Sequence, residues 1–227
     1  MSAGAGATRL LQLASPALPV GGYTYSQGLE WAAESGAVHD EASAGRWIGA
    51  VLELSIASFE APLTARLIDA WARHDLSAAQ ALNARYLASR ETAELRAETL
   101  QMGYSMVQLA RALEAFRDDA LARLESLSDP AWPSAWAWAA AAWHIEPAAA
   151  LEGYLWAWAE NQVLAAVKIV PLGQSAGQRL LAGLGGRIPE LARTALALDE
   201  TAWSSFAPVF AIAGCRHETQ YSRLFRS

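Results

Sequence analysis

Residues 147–170, PAAALEGYLWAWAENQVLAAVKIV, place the tightest constraint on what this chain can fold into. Pro147 suits the first turn of a helix, where its missing N–H would have no partner anyway. From there Leu151, Tyr154, Leu155, Trp158, Gln162, Ala165 and Ile169 recur at threes and fours along one side, and Trp156, Ala159, Val163 and Val167 occupy the other. A helix apolar all round needs neighbours around its whole circumference, which puts it at the centre of a helical bundle. A membrane span is the competing reading. The wider apolar region, 131–170, is cut by Pro133, His144, Glu146, Pro147, Glu152, Glu160, Asn161, Gln162 and Lys168 into pieces shorter than the roughly 18 to 20 uncharged residues a span requires. The expectation is a buried helix and no membrane.

The rest of the chain supplies the neighbours. Asp40 can cap a helix whose face is Ala44, Trp47, Ile48, Val51, Leu52 and Ser55. Ser58 and Pro62 mark a new start, with Leu63, Leu67 and Ala70 buried on a helix that runs to Trp71 or Arg73. Ser77 and Gln80 have capping-box spacing for the next. From Glu91, Leu95, Thr99, Met102, Met106, Leu109 and Leu113 trace a long stripe, with Arg90, Glu91, Glu94, Arg96, Glu98 and Arg111 mostly off it. Gly103 within that helix costs about 1 kcal/mol relative to Ala, so it marks a close helix crossing. A shorter amphipathic piece spans 116–127. Trp132, Trp136, Trp138, Trp143, Trp156 and Trp158 sit among alanines at helical spacing and read as core or subunit interface, each buried indole N–H needing an acceptor. Pro171 ends the central helix, a turn at 172–175 opens another that stops by Gly186, Pro189 begins the next, and a last helical piece lies around Pro208. No alternating strand pattern occurs. The fold class is therefore all-α: one domain, 1–227, of roughly ten helices, with a loose N-terminus (about 1–8) and a loose tail (about 215–227).

Composition closes off several functions. Hydrophobic residues at 53% against 18% charged exclude a disordered chain, and a net charge of -6 argues against a nucleic-acid groove and for a basic partner surface. The lone Cys215 forms no internal disulfide. The apolar run at 10–14 is interrupted by Gln12 and stopped by Pro16, too short for a signal peptide, so a cytoplasmic location is expected. For catalysis, residues 173–179, GQSAGQR, have glycines near a helix start but no phosphate-binding lysine, and there is no G-x-S-x-G elbow. Glu-x-x-His is absent, and the pairs His39-Asp40 and His74-Asp75 fall at helix boundaries where Asp serves as a cap. Cys215 and His217 could hold an ion such as nickel only if a second chain gave two more ligands. No cofactor is expected to be stably bound. Lys168, near the end of the apolar helix, must reach water, a carboxylate or a partner.

Residues 11–30, LQLASPALPVGGYTYSQGLE, combine two prolines, two adjacent glycines and a polar helix entry. No helix runs through Pro16 to Gly22, but Tyr25, Gly28, Leu29, Ala32 and Ala33 form a stripe that Gly36 closes. That places Tyr23, Thr24, Ser26, Gln27 and Glu30 on or beside the first turn.

Residues 13–31, LASPALPVGGYTYSQGLEW, resemble the N-terminal signature of the UreF family of urease accessory proteins. Residues 101–105 (QMGYS), 161–181 (NQVLAAVKIVPLGQSAGQRLL) and 216–227 (RHETQYSRLFRS) are similar to the same family, in the same order, and bracket almost the whole chain. The resemblance implies a noncatalytic homodimeric adaptor that binds UreD (also called UreH) and through it the GTPase UreG, coupling GTP hydrolysis to nickel delivery into apo-urease. It implies a partner-binding surface at Tyr23, Glu30, Lys168, Gln174, Arg179, Arg223 and Leu224, with the tail loose in the free protein and ordered against UreD. Substituting Glu30 or Lys168 is then expected to leave the fold intact and impair urease activation. Arg179 and Arg223 are the candidates for an arginine finger on the GTPase. The alternative from another class is an all-α enzyme acting on a small molecule in a central pocket.

Overall fold

The helix at 147–170 forms as expected and sits where its sequence demands. In the computed structural model, which describes residues 3–227, the α-helices are α1 (Ala3–Ala14), α2 (Leu29–Glu34), α3 (Glu41–Val51), α4 (Ala61–Ala72), α5 (Leu76–Ala88), α6 (Ala93–Leu113), α7 (Asp118–Glu125), α8 (Trp132–Ala142), α9 (Pro147–Ile169), α10 (Gln174–Gly185), α11 (Ile188–Ala197) and α12 (Pro208–His217). No strand occurs among the described residues. Helices α1, α2, α3, α4, α8, α10 and α11 all pack on α9. Leu151, Leu155, Ala159 and Ala166 of α9 are fully buried, and a narrow strip at Trp156, Leu164 and Lys168 reaches the surface.

One body rather than two follows from how the apolar residues divide. One core gathers around the tryptophans of α8 and includes Leu63, Leu67, Ala150 and Tyr154; the other contains Leu29, Ile48, Ala61, Ala65, Leu151 and Leu155. Helices α4 and α9 contribute to both, so each core is one face of the same two helices.

The tryptophan cluster is core. Trp136, Trp138 and Trp143 are buried, and the first two donate to the carbonyls of Ala150 and Ala120 at 3.2 and 2.9 Å. Phe116 stacks on Trp143 with ring centroids 4.7 Å apart. Gly103 does mark a close crossing: a Cβ there would lie 1.8 Å from the Pro130 carbonyl oxygen. Asp40 and Asp75 cap α3 and α5 by accepting from Ser43 N and Ala78 N, so the cap of α5 is Asp75, two residues before the expected Ser77.

Three stretches differ from the sequence reading. Ser58 does not break the chain; α3 runs through a π-helical segment, Leu52–Glu60, directly into α4. Glu60, at the end of that segment, is buried. That continuous run, Glu41–Ala72, is also the one described stretch long and apolar enough for a membrane span, and 78% of its most apolar window is buried inside the protein. At the N-terminus, residues 1–2 of the expected loose segment lie outside the described residues, and 3–8 belong to α1. The tail from 215 onward, expected to be loose, is folded back onto α2 and α6, where Glu30 and Glu94 hold it.

Candidate partner-binding site

The glycine-rich junction is a sequence of backbone reversals rather than a helix start. Gly21 takes φ 82, residues Gly22–Thr24 make one 3-10 turn, and Gln27 and Gly28 take φ 52 and 80 before α2 begins. The helix therefore does not start at Tyr25. Gly28 is required twice over: its φ disfavours any side chain, and a Cβ would lie 3.0 Å from Gly214 N of α12. Between these reversals the N–H groups of Ser26 and Gln27 are free for another partner, and they find it in the Ser227 carbonyl at 2.7 and 2.9 Å. Arg226 N returns a bond to Thr24 O at 2.9 Å.

Glu30 is the anchor of this junction. It was expected on the partner-facing surface, but it is 6% exposed. Its Oε1 accepts from Leu224 N at 2.7 Å, and its Oε2 from Phe225 N at 3.0 Å and His217 Nε2 at 3.2 Å. A carboxylate off the apolar stripe of a short helix reads as solvated; here the returning tail covers it. His217 is fully buried, with Nδ1 2.7 Å from Glu94 Oε2. Its two nitrogens face carboxylates on opposite sides of the ring, while Cys215 is exposed, so the two do not converge on an ion.

Deeper in, a second polar cluster lies where the sequence pointed to core. Glu60, 5% exposed, accepts from Tyr86 Oη at 2.9 Å and from Tyr154 Oη, and pairs with Arg90 Nη1 at 3.3 Å. Burial pushes the hydroxyls of Tyr86 and Tyr154 well above the ordinary tyrosine range. Glu98 accepts from Gln27 Nε2 and Ser227 Oγ, both at 2.7 Å, and burial raises its pKa to about 7 against those two donors. Gln27 in turn accepts from Trp158 Nε1 at 2.8 Å. These groups and the 13–27 segment enclose a cavity of about 60 Å³, room for a few waters. Sequence reading placed Glu98 off the stripe. The signal it passed over is that Glu98 stands three residues after Leu95 and four before Met102, and Glu60 four after Ile56 and three before Leu63.

The remaining expected site residues lie at the surface. Lys168 is exposed, its ammonium 5.8 Å from the Tyr23 ring centroid and 5.6 Å from that of Phe225, so it holds the junction and the tail side by side. Tyr23 is 54% exposed and Leu224 76%. Arg223 pairs with Glu94 beside them. Tyr23, Lys168 and the Phe225 ring of the tail make one contact patch, and Arg223, Leu224 and the fully exposed Tyr221 stand on the same tail segment. Gln174 and Arg179 are exposed on α10, where Arg179 makes a two-pronged pair with Glu41 at 2.9 and 2.5 Å, and no direct contact joins them to the patch.

Comparison with known proteins gives a consistent result. The UreF family model matches residues 38–185. The chain is similar to "Urease accessory protein UreF" of Dechloromonas aromatica, 61% identical over 96% of both chains. It is 64% identical to the protein of that name from Azoarcus sp., over 96% of this chain and 94% of the other. It is 51% identical to that of Methylobacillus flagellatus over the full length of both. These alignments extend beyond the family-model match into the regions that hold the junction and the tail.

Proposed function

Because the chain belongs to the UreF family of urease accessory proteins, we propose that it acts in urease maturation as a noncatalytic, cytoplasmic, homodimeric adaptor, docking UreD (UreH) and through that complex the GTPase UreG. Nickel is the cargo of the pathway, not a resident cofactor of this chain. The observation that carries the reading is this surface: Tyr23 and Lys168 are exposed side by side, and Leu224 and Tyr221 are exposed on the tail that the buried Glu30 anchors. Tyrosine is among the residue types enriched in the hot spots of protein interfaces. An adaptor acts on a GTPase by differential affinity for its nucleotide states, which needs surfaces and no reactive group. A regulatory arginine is the finer form of this reading. Arg179 and Arg223 would each have to leave a carboxylate, Glu41 or Glu94, to act in trans.

The pocket-enzyme alternative is disfavoured by size, since the internal cavity of about 60 Å³ is well below the roughly 300 Å³ at which ligand pockets begin. The test is urease activation in cells that carry urease and the other accessory genes, with the wild-type chain, Tyr23→Ala, Lys168→Glu or Leu224→Ala. The expected outcome is loss of active urease with unchanged amounts of folded chain. Full activation by all three variants would overturn the assignment of the patch, and GTP turnover by UreG with Arg179→Ala and Arg223→Ala tests the finger separately.

A further inference from the structure

Arg90 and Gln162 carry buried hydrogen-bonding groups that the described residues leave unsatisfied. The Arg90 side chain is 9% exposed. Its Nη1 reaches Glu60 at 3.3 Å and its Nη2 donates to Ser89 Oγ at 3.0 Å, while its Nε–H is buried and bonds to no protein atom. The guanidinium carbon lies over the Tyr86 ring, 4.1 Å from the centroid; that contact uses the face of the planar cation, whereas Nε–H points along its edge. Gln162 of α9 is 4% exposed, and its side-chain amide, with two donors and an acceptor, bonds to no described protein group either. Leaving such groups dry costs the full desolvation of each.

Both residues line the same internal cavity of about 60 Å³, together with the carboxyl groups of Glu60, Glu98 and Glu160 and the amide of Asn161. The chemistry of a guest follows from this lining. It must accept from Arg90 Nε–H and from the Gln162 NH₂, and donate to the Gln162 carbonyl and to the free lone pairs of the carboxylates. An anion only accepts, and it would meet three carboxyl groups. A metal cation accepts nothing and would leave Arg90 Nε–H unpaired. A neutral molecule that both donates and accepts fits, and size selects water, which needs about 15 Å³ and two to four polar partners, so that about four find room.

We propose that the cavity is a built hydration site, in which a connected cluster of about four waters bridges Arg90 Nε–H to the Gln162 amide and to the oxygens of Glu60 and Glu98. The cluster ties α9 to the turn between α5 and α6, two parts of the chain whose side chains stop short of each other here. It also backs the glycine-rich junction from inside. Asn161, beside Gln162, lies so close to the junction that a Cβ at Gly22 would come within 2.8 Å of its Nδ2. The junction that presents Tyr23 therefore rests on a wet floor rather than on apolar core, and this holds whether or not the chain meets a urease partner.

A high-resolution crystal structure of the isolated full chain, with a second crystal pressurised with xenon, tests this directly. The expected result is a linked set of solvent peaks at about 3 Å from Arg90 Nε and from both ends of the Gln162 amide, and no xenon, which enters dry apolar cavities. An empty cavity, xenon inside it, or an organic molecule or metal ion in place of the waters overturns the proposal. So does a structure in which Arg90 Nε and the Gln162 amide have turned onto protein partners. In solution, magnetic relaxation dispersion of the water signal counts slowly exchanging internal waters. Gln162→Met keeps the length of the side chain and removes its amide, so the folded variant should hold fewer such waters than the wild type; an equal count in the two overturns the assignment of Gln162 to the cluster.

Discussion

Glu30 is the side chain that ties the returning tail to α2. Its carboxylate satisfies two tail N–H groups and one ring nitrogen, so Glu30→Ala leaves three polar groups without their acceptor. Leaving a buried donor unpaired costs about 1 to 3 kcal/mol. We expect a loss of about 3 kcal/mol in chemical denaturation, together with a released tail, whereas Lys168→Ala, which removes two exposed cation–π contacts, should cost about 1 kcal/mol or less. The two substitutions, equivalent from the sequence, thus separate: the first impairs activation through the fold, the second through the surface. A second prediction concerns Glu98. Gln at this position mimics the protonated acid, so Glu98→Gln should stabilise the chain by about 2 kcal/mol more at pH 8 than at pH 5, because the wild type must keep an ionised carboxylate buried above pH 7. A variant whose effect is the same at both pH values would contradict the raised pKa.

At the scale of elements, the helices were legible because their signals are local. Asp40 and Asp75 at helix entries, Pro147 in a first turn and the three-four spacing of α9 each act within a few residues. The π segment was not legible, since Ser58 and Pro62 carry the local marks of a break while the packing of Ile56, Phe59 and Ala61 keeps the helix continuous. Gly103 shows the opposite case, where a local cost announced a distant contact. The Pro130 carbonyl cannot move aside as a flexible side chain would, so Gly103→Ala should lose at least about 2 kcal/mol even though Ala gains about 1 kcal/mol of helix propensity. Thermal denaturation checks this, and an unchanged or raised melting temperature would mean that α6 and the 130–131 backbone are not in contact.

For the molecule as a whole, two apolar cores sharing α4 and α9 fix a body from which the junction, the end of α9 and the tail are presented together. Part of the surface was legible: Tyr23 and Lys168 adjoin at the surface and Arg223 and Leu224 are exposed on the tail, whereas Glu30 is buried and Gln174 and Arg179 stand on a separate helix. What hid Glu30 was distance along the chain. Its partners are His217, Leu224 and Phe225, and no periodicity within one helix reports a segment that returns from the far end. The central claim is that the patch is a docking surface for the urease maturation proteins. Coexpression with UreD and UreG, followed by purification through a tag on this chain, tests it most directly. The account predicts that both partners copurify with the wild type and are lost with the triple substitution Tyr23→Ala, Lys168→Glu, Leu224→Ala while the chain retains its helical content. Retention of both partners by that folded triple variant would contradict it.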